Sequence, residues 1–275
     1  MRFYRNHRSR STASRIVALV APPALASVLL FTVAGSAGAA SSSVNLVAYS
    51  TPKPAYAALV TAFGATKAGQ GVTVVQSYGP SGTQATDVVS GLPATVVNFS
   101  LSPDMQKLVK AGDVSSSWNK GPTKGFVTNS IVSFIVRKGN PKHITSWADL
   151  VKPGVQVITP NPFSSGSAKW NLMAAYGAQI SLGKSTAQAQ AYLTKLLKNA
   201  VAQPASASAA LQTFLSGQGD VLLDYEDDGL YAKSQGEPVS VITPPQTILI
   251  QNPIALTKTA SPAAKAFYAY LLSSA

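Results

Sequence analysis

Apolar and polar positions along the chain fall into short blocks that predict strand and helix in turn. Val44–Tyr49 (VNLVAY) is an apolar run with the length of a buried strand. Pro54–Phe63 follows as a helix, with Pro in its first turn, where the missing N–H costs no hydrogen bond. Val72–Gln76 is rich in β-branched residues and predicts a strand; Ser81–Ser90 predicts a helix opened by Ser and Gly. Ala94–Phe99 and Ser102–Lys110 repeat the strand–helix pair. Three such units within 70 residues predict a mainly parallel sheet with right-handed crossovers.

The pattern continues with a strand at Ile131–Arg137, ended by Gly139-Asn140-Pro141. A short helix at Ser146–Val151 has Ser as cap and Asp149 in its first turn, and a strand follows at Val155–Ile158. Ser165–Ile180 and Ser185–Asn199 are long helices separated by Gly183, and Ala207–Leu215 is a shorter one. Asp220–Leu223, Val239–Ile242 and Thr247–Ile250 are strands, and Ser261–Leu272 is a closing helix.

Residues 1–40 stand outside this alternation. An Arg-rich start, an almost wholly apolar run over 16–34 and the small residues Ala37-Gly38-Ala39 form a secretory signal peptide. Pro22-Pro23 interrupts the apolar run, which argues against an unbroken spanning helix; an uncleaved N-terminal anchor is the other reading. The protein is therefore expected to be exported, either into a periplasm or onto the outer face of the cell membrane. The remaining 235 residues suffice for two α/β lobes.

Charge adds less than its total suggests. Of 22 Lys+Arg, five are the Arg residues of the first 40 positions, leaving 17 against 10 acids. These 17 are scattered singly, apart from Arg137-Lys138, so no basic stripe supports nucleic-acid binding. The chain has no Cys and only two His, which excludes disulfides, thiolate nucleophiles, a lipid-bearing cysteine and a multi-His metal centre. No G-x-S-x-G elbow, Walker A or G-x-G-x-x-G is present, so no enzymatic activity and no cofactor are expected. Asp220, Asp224, Glu226, Asp227 and Asp228 place half of the ten acids within nine residues, at a helix start. They read either as complements to the helix dipole or as a cation or amine site.

Four loops that follow strands carry the candidate chemistry: Tyr49–Pro52, Ser77–Thr83, Pro160–Ser167 and Pro204–Ser208. Each is rich in Gly or hydroxyl residues and each opens a helix. A Ser before a helix is usually only a cap. Several helix starts aimed at one point would instead form an anion site built from N–H and O–H groups alone. In an open parallel sheet such loops gather beyond the carboxyl ends of the strands.

Two stretches resemble the signatures of the sulfate/thiosulfate-binding proteins, the extracytoplasmic receptors of ABC importers. The first runs from Gly69 through Ser77 into Tyr78-Gly79-Pro80-Ser81-Gly82-Thr83. The second runs from Val136-Arg137-Lys138-Gly139-Asn140-Pro141 through Trp147-Ala148-Asp149-Leu150 to Asn161-Pro162-Phe163-Ser164-Ser165-Gly166-Ser167. The resemblance implies a two-lobed, periplasmic-binding-protein-like α/β fold of type II. Lobe 1 would comprise 41–129 and 250–275, lobe 2 would comprise 130–249, and the C-terminal part would be shortened. It implies capture of sulfate or thiosulfate by a monomer that hands it to a permease and ATPase complex. A membrane-anchored oxyanion sensor or scaffold that feeds no transporter is the alternative.

By position, the resemblance implies Ser81 as a hydroxyl donor, Ser165, Gly166 and Ser167 as O–H and N–H donors, and Ala207 as an N–H donor. Ser50 stands where the family has Asp, and Tyr225 where it has its binding Trp. Ser167 replaces a family Gly, and Phe163 and Lys169 also depart from the pattern. Sulfate only accepts hydrogen bonds, so Asp224 and Glu226, beside Tyr225, are expected to point away from it.

Overall fold

The computed structural model describes residues 42–273. The expected signal segment, 1–40, lies outside the described residues. The elements in chain order are β1 Ser42–Tyr49, α1 Lys53–Gly64, β2 Val72–Gly79, α2 Ser81–Val89, β3 Val96–Asn98, α3 Ser102–Ala111 and β4 Phe126–Arg137. A 3-10 helix, Trp147–Val151, leads to β5 Val157–Ile158, α4 Gly166–Ser181, α5 Thr186–Lys198, β6 Ala200–Ala202 and α6 Ala207–Leu215. The chain then forms β7 Val221–Tyr225, α7 Glu226–Ser234, β8 Val239–Ile242, β9 Leu249–Leu256 and α8 Pro262–Leu271.

The fold is mixed α/β, and its strands form two halves joined in the middle. In the first half β2, β1 and β3 run parallel, and the end of β9 pairs antiparallel with β3 (Val96↔Leu256). In the second half β6, β5 and β7 run parallel, and residues 132–137 of β4 lie antiparallel between β7 and β8. The first half of β4 pairs antiparallel with the start of β9, from Phe126↔Pro253 to Ile131↔Leu249. Both chain crossings between the halves therefore run through one two-stranded ribbon. The boundaries expected at 129/130 and 249/250 fall inside β4 and β9.

Each half is covered by helices on both faces. Val47, Phe99, Met105 and Leu108 fill one face of the first half; Leu46, Phe63, Val96 and Phe267 fill the other. In the second half Phe134, Trp147, Leu196 and Leu223 form one core and Ile135, Leu211, Phe214 and Leu222 the other. Phe134 and Trp147 meet edge to face with ring centroids 4.9 Å apart. The expected capping box at Ser146 and Asp149 is present. The expected cap at Ser81 is not: Pro80 occupies the N-cap of α2, and no side chain caps it.

Three strand segments exceed the expected pattern. Phe126–Ser130 continues β4 although its polar, partly exposed residues break the apolar run. β9 continues through Gln251-Asn252-Pro253, where the ladder with β4 shifts register; there a Pro removes no regular bond. The third, β6, is only Ala200–Ala202.

Arg137, half of the basic doublet, works as a staple. Its guanidinium donates to the carbonyls of Phe214 (2.8 Å), Gly219 and Gln218 and lies 3.8 Å over the Phe214 ring. A lysine cannot reproduce this planar fork. Arg137→Lys is expected to lower unfolding stability by about 1–3 kcal/mol, read as a reduced urea midpoint with an unchanged slope.

Candidate functional site

Loops at the carboxyl ends of the parallel strands meet around one small cavity of about 10 Å³. β1 supplies Tyr49 and Ser50, β2 supplies Gly79, Pro80 and Ser81, and the turn after β3 supplies Ser100. β5 leads to Ser165, Gly166 and Ser167, and β6 leads to Ala207. None of these residues is charged. Three helices, α2, α4 and α6, begin at the cavity wall. Their first N–H groups, at Ser81, Gly166, Ser167 and Ala207, have no acceptor within their own helices. A larger groove of about 230 Å³, lined by Leu101, Trp170, Met173 and Leu249, is mostly apolar and gathers no such donors.

The expected residues thus come together, with one exception. Tyr225 does not reach the cavity wall. It is fully buried behind Ser100, and its hydroxyl lies 2.6 Å from Ser100 Oγ. The two N–H groups of Asn252 go to the Ser100 carbonyl (3.1 Å) and to the Tyr225 hydroxyl (3.4 Å). Either hydroxyl can be the donor of that pair; with Asn252 donating to it, Tyr225 can donate in turn to Ser100 and leave the Ser100 proton for the cavity. Tyr225, expected to touch the guest directly, thus lies behind the cavity wall, in contact with Ser100. Sequence reasoning missed Ser100, although the signal was present. Ser100-Leu101-Ser102 lies between a strand and a helix, as the other site loops do.

The hydroxyls differ in what they have left to give. Ser165 Oγ receives the Ala168 N–H at 3.5 Å, and Ser50 Oγ receives the Ser208 N–H at 3.4 Å, so the protons of both remain free. Ser81 Oγ donates to Asp104 Oδ2 at 2.7 Å and accepts from the Ser100 N–H at 3.0 Å. In this arrangement the Ser81 hydroxyl proton is directed at Asp104 rather than at the cavity, and the Ser81 N–H, the first of α2, has no acceptor within the helix. Ser167 Oγ donates to Asp224 Oδ1 at 2.7 Å.

The acids near the site lie behind its wall. Glu226 accepts from Thr243 Oγ1, well away from the cavity. Asp224 is fully buried and reaches the cavity only through Ser167. Burial pushes its carboxyl up to about 7, against the opposing hydrogen bonds from Ser167 and the Tyr225 N–H. Burial also holds Asp228 well above the usual carboxylate range, with Asp224 and Asp227 adding to it and the Thr51 hydroxyl opposing. Among the described residues, no cluster of His, Cys, Asp and Glu could hold a metal ion.

The two halves touch directly at the site. The Gly82 N–H donates to Ser164 O at 3.1 Å, and Trp170 Nε1 donates to Ser100 O at 2.8 Å. Tyr49 and Tyr225 pack edge to face at 6.0 Å. Gly166 permits the closest approach: a Cβ there would lie 2.4 Å from both Cβ and Oγ of Ser100. Only glycine lets α4 begin against that loop.

Comparison with known proteins agrees with this geometry. The profile of the bacterial extracellular solute-binding proteins matches residues 44–275. A sulfate-binding protein of Synechococcus elongatus is 38% identical over 86% of this chain and 71% of its own. One of Escherichia coli is 37% identical over 74% of this chain and 66% of its own. The structure of the sulfate-binding protein SubI from Mycobacterium tuberculosis superposes with a TM-score of 0.82 at 43% identity, covering 85% of this chain and 82% of that one. The chain belongs to the bacterial extracellular solute-binding proteins and, within them, to the sulfate/thiosulfate-binding family.

Proposed function

We propose that the protein captures sulfate or thiosulfate outside the cytoplasmic membrane, encloses it between two lobes, and delivers it to the permease of an ABC importer. The observation that carries this reading is the uncharged cavity wall, where N–H groups from three helix starts meet free serine hydroxyls. A fully ionised tetrahedral oxyanion can only accept hydrogen bonds. The N–H groups of Ser81, Gly166, Ser167 and Ala207 and the hydroxyls of Ser50, Ser100 and Ser165 would all donate to it. Helix dipoles add partial positive charge at the same point. A guest carrying a proton finds fewer acceptors here, which biases the site against it.

The lobes of this reading are 41–129 with 250–275 and 130–249, and their hinge is the β4–β9 ribbon. Opening would part Gly166 from Ser100 and Gly82 from Ser164 and admit the anion. Closure would remove its water and present a joint surface to the permease. Export by the N-terminal segment completes the reading. No helix among the described residues is long and apolar enough to cross a membrane. Family membership favours import over a sensor or scaffold that feeds no transporter.

Calorimetry of the chain from residue 41 onward with sulfate, thiosulfate, molybdate and phosphate tests the reading. Sulfate or thiosulfate is expected to bind with the highest affinity, and failure of every oxyanion to bind removes it. Ser165→Ala deletes one hydrogen bond to a charged guest, so sulfate Kd is expected to rise roughly 10- to 150-fold. Losing the N-cap bond to the Ala168 N–H is also expected to lower its melting temperature by a few degrees, about 2–4 °C per kcal/mol lost. Gly166→Ala places a methyl against Ser100 and is expected to weaken sulfate by about 100-fold or more. Small-angle scattering with sulfate should show it remaining more open than the parent.

A further inference from the structure

Ser167 is the one cavity hydroxyl whose proton is held by a titratable group with no counter-charge. Asp224 Oδ1 takes the Ser167 hydroxyl at 2.7 Å and the Tyr225 N–H at 2.9 Å. Its other oxygen, Oδ2, is buried without a hydrogen-bond partner. Ser133, directly across the β4–β7 ladder from Asp224, is also fully buried with its hydroxyl unpartnered. Among the described residues, the carboxylates in ion pairs are Asp104, Asp149 and Asp220, and Asp224 is in none.

The titratable groups around Asp224 are few. From α7 come the carboxyls of Asp227 and Asp228, both of which oppose a second negative charge. The Tyr225 and Tyr49 hydroxyls are held neutral by burial. In α4, Ser167 is the contact and Asn171 turns to Thr159 and Leu223; Lys169 lines the apolar groove beside Trp170. Strands β5 and β8 and helix α6 contain no titratable side chain, and the one titratable side chain of β4, Arg137, turns to the carbonyls of Phe214 and Gly219. No cation therefore offsets an ionised Asp224.

We propose that Asp224 is a positioning residue for anion selection: it takes up one proton from solvent when a fully ionised oxyanion enters, and thereby releases the Ser167 hydroxyl to that anion. The inference rests on the oxyanion reading above. While Asp224 is ionised, the single Ser167 proton points at it, so Ser167 turns oxygen lone pairs toward the cavity. A dianion with no proton to give is repelled by them. Ser133 faces Asp224 across the ladder with its own hydroxyl unpartnered, beyond hydrogen-bond reach of Oδ2 as the two now stand, so a small side-chain rotation would be needed for it to accept the new proton. Ser167 can then rotate its own proton toward the guest. No covalent bond is made or broken apart from the O–H bond on the carboxyl.

Burial pushes the Asp224 carboxyl up to about 7. A bound dianion raises it further. Affinity is then constant well below that value and falls as pH rises through and beyond it, approaching tenfold per unit. Sulfate titrates far below this range and contributes no slope of its own.

The test is calorimetry with sulfate between about pH 5.5 and 8.5, in two buffers of different ionisation enthalpy. The expected result is a falling affinity above neutrality, with proton uptake rising toward one per sulfate. Asp224→Asn is expected to flatten the profile, Ser167→Ala to flatten it with weaker binding at low pH, and Asp228→Asn to keep the parent slope. A flat parent profile overturns the proposal, as does a slope that survives undiminished in Asp224→Asn or Ser167→Ala. If Asp224→Asn fails to give the parent's circular dichroism spectrum, the Ser167→Ala profile decides alone. Absence of sulfate binding at every pH would instead remove the underlying oxyanion reading.

Discussion

A buried negative charge without a counter-ion survives only where enough hydrogen-bond donors still have protons to give. That constraint organises the centre of this molecule. Three helices start at one cavity, so their N–H groups need no tertiary sacrifice to stay free. Glycine at 166 brings the second half close enough to the first for donors from both to share a focus. Behind the wall a further layer sets which way each hydroxyl points: Asn252 and Tyr225 leave Ser100 free to point outward, while Asp104 draws Ser81 inward.

That further layer is where sequence and structure part. The strand–helix alternation was legible because each element buries a continuous apolar face, and the site loops were legible because Ser and Gly concentrate at helix starts. Proton direction was not, because it depends on contacts between residues far apart in the chain. Ser81 and Asp104 are 23 residues apart, and Ser167 and Asp224 are 57 apart. Tyr225 shows the same limit: its place beside the site was readable, but its concealment behind Ser100 comes from packing against Tyr49 and Asn252.

The missed strand segments have a common cause as well. Phe126–Ser130 and the middle of β9 pair with each other where the halves join, so neither lies in a deep core. Their residues are mixed in polarity, and Pro253 argues against a strand when read alone. The ladder shifts at that Pro, and its carbonyl still receives the Phe99 N–H and the Asn98 side chain. A rule about isolated residues was overridden by a partner 127 positions upstream, Phe126.

The ribbon also limits what the molecule can do mechanically. Its two strands are laced by backbone hydrogen bonds, so one cannot slide along the other without losing the ladder. Sideways shear between the halves is thereby suppressed, and flexing about a line across the strands is the soft direction that remains. Movement about such a line lengthens every cross-cavity contact at once, in proportion to its distance from the ribbon. An opening of that kind would part the cross-cavity contacts together rather than one loop at a time.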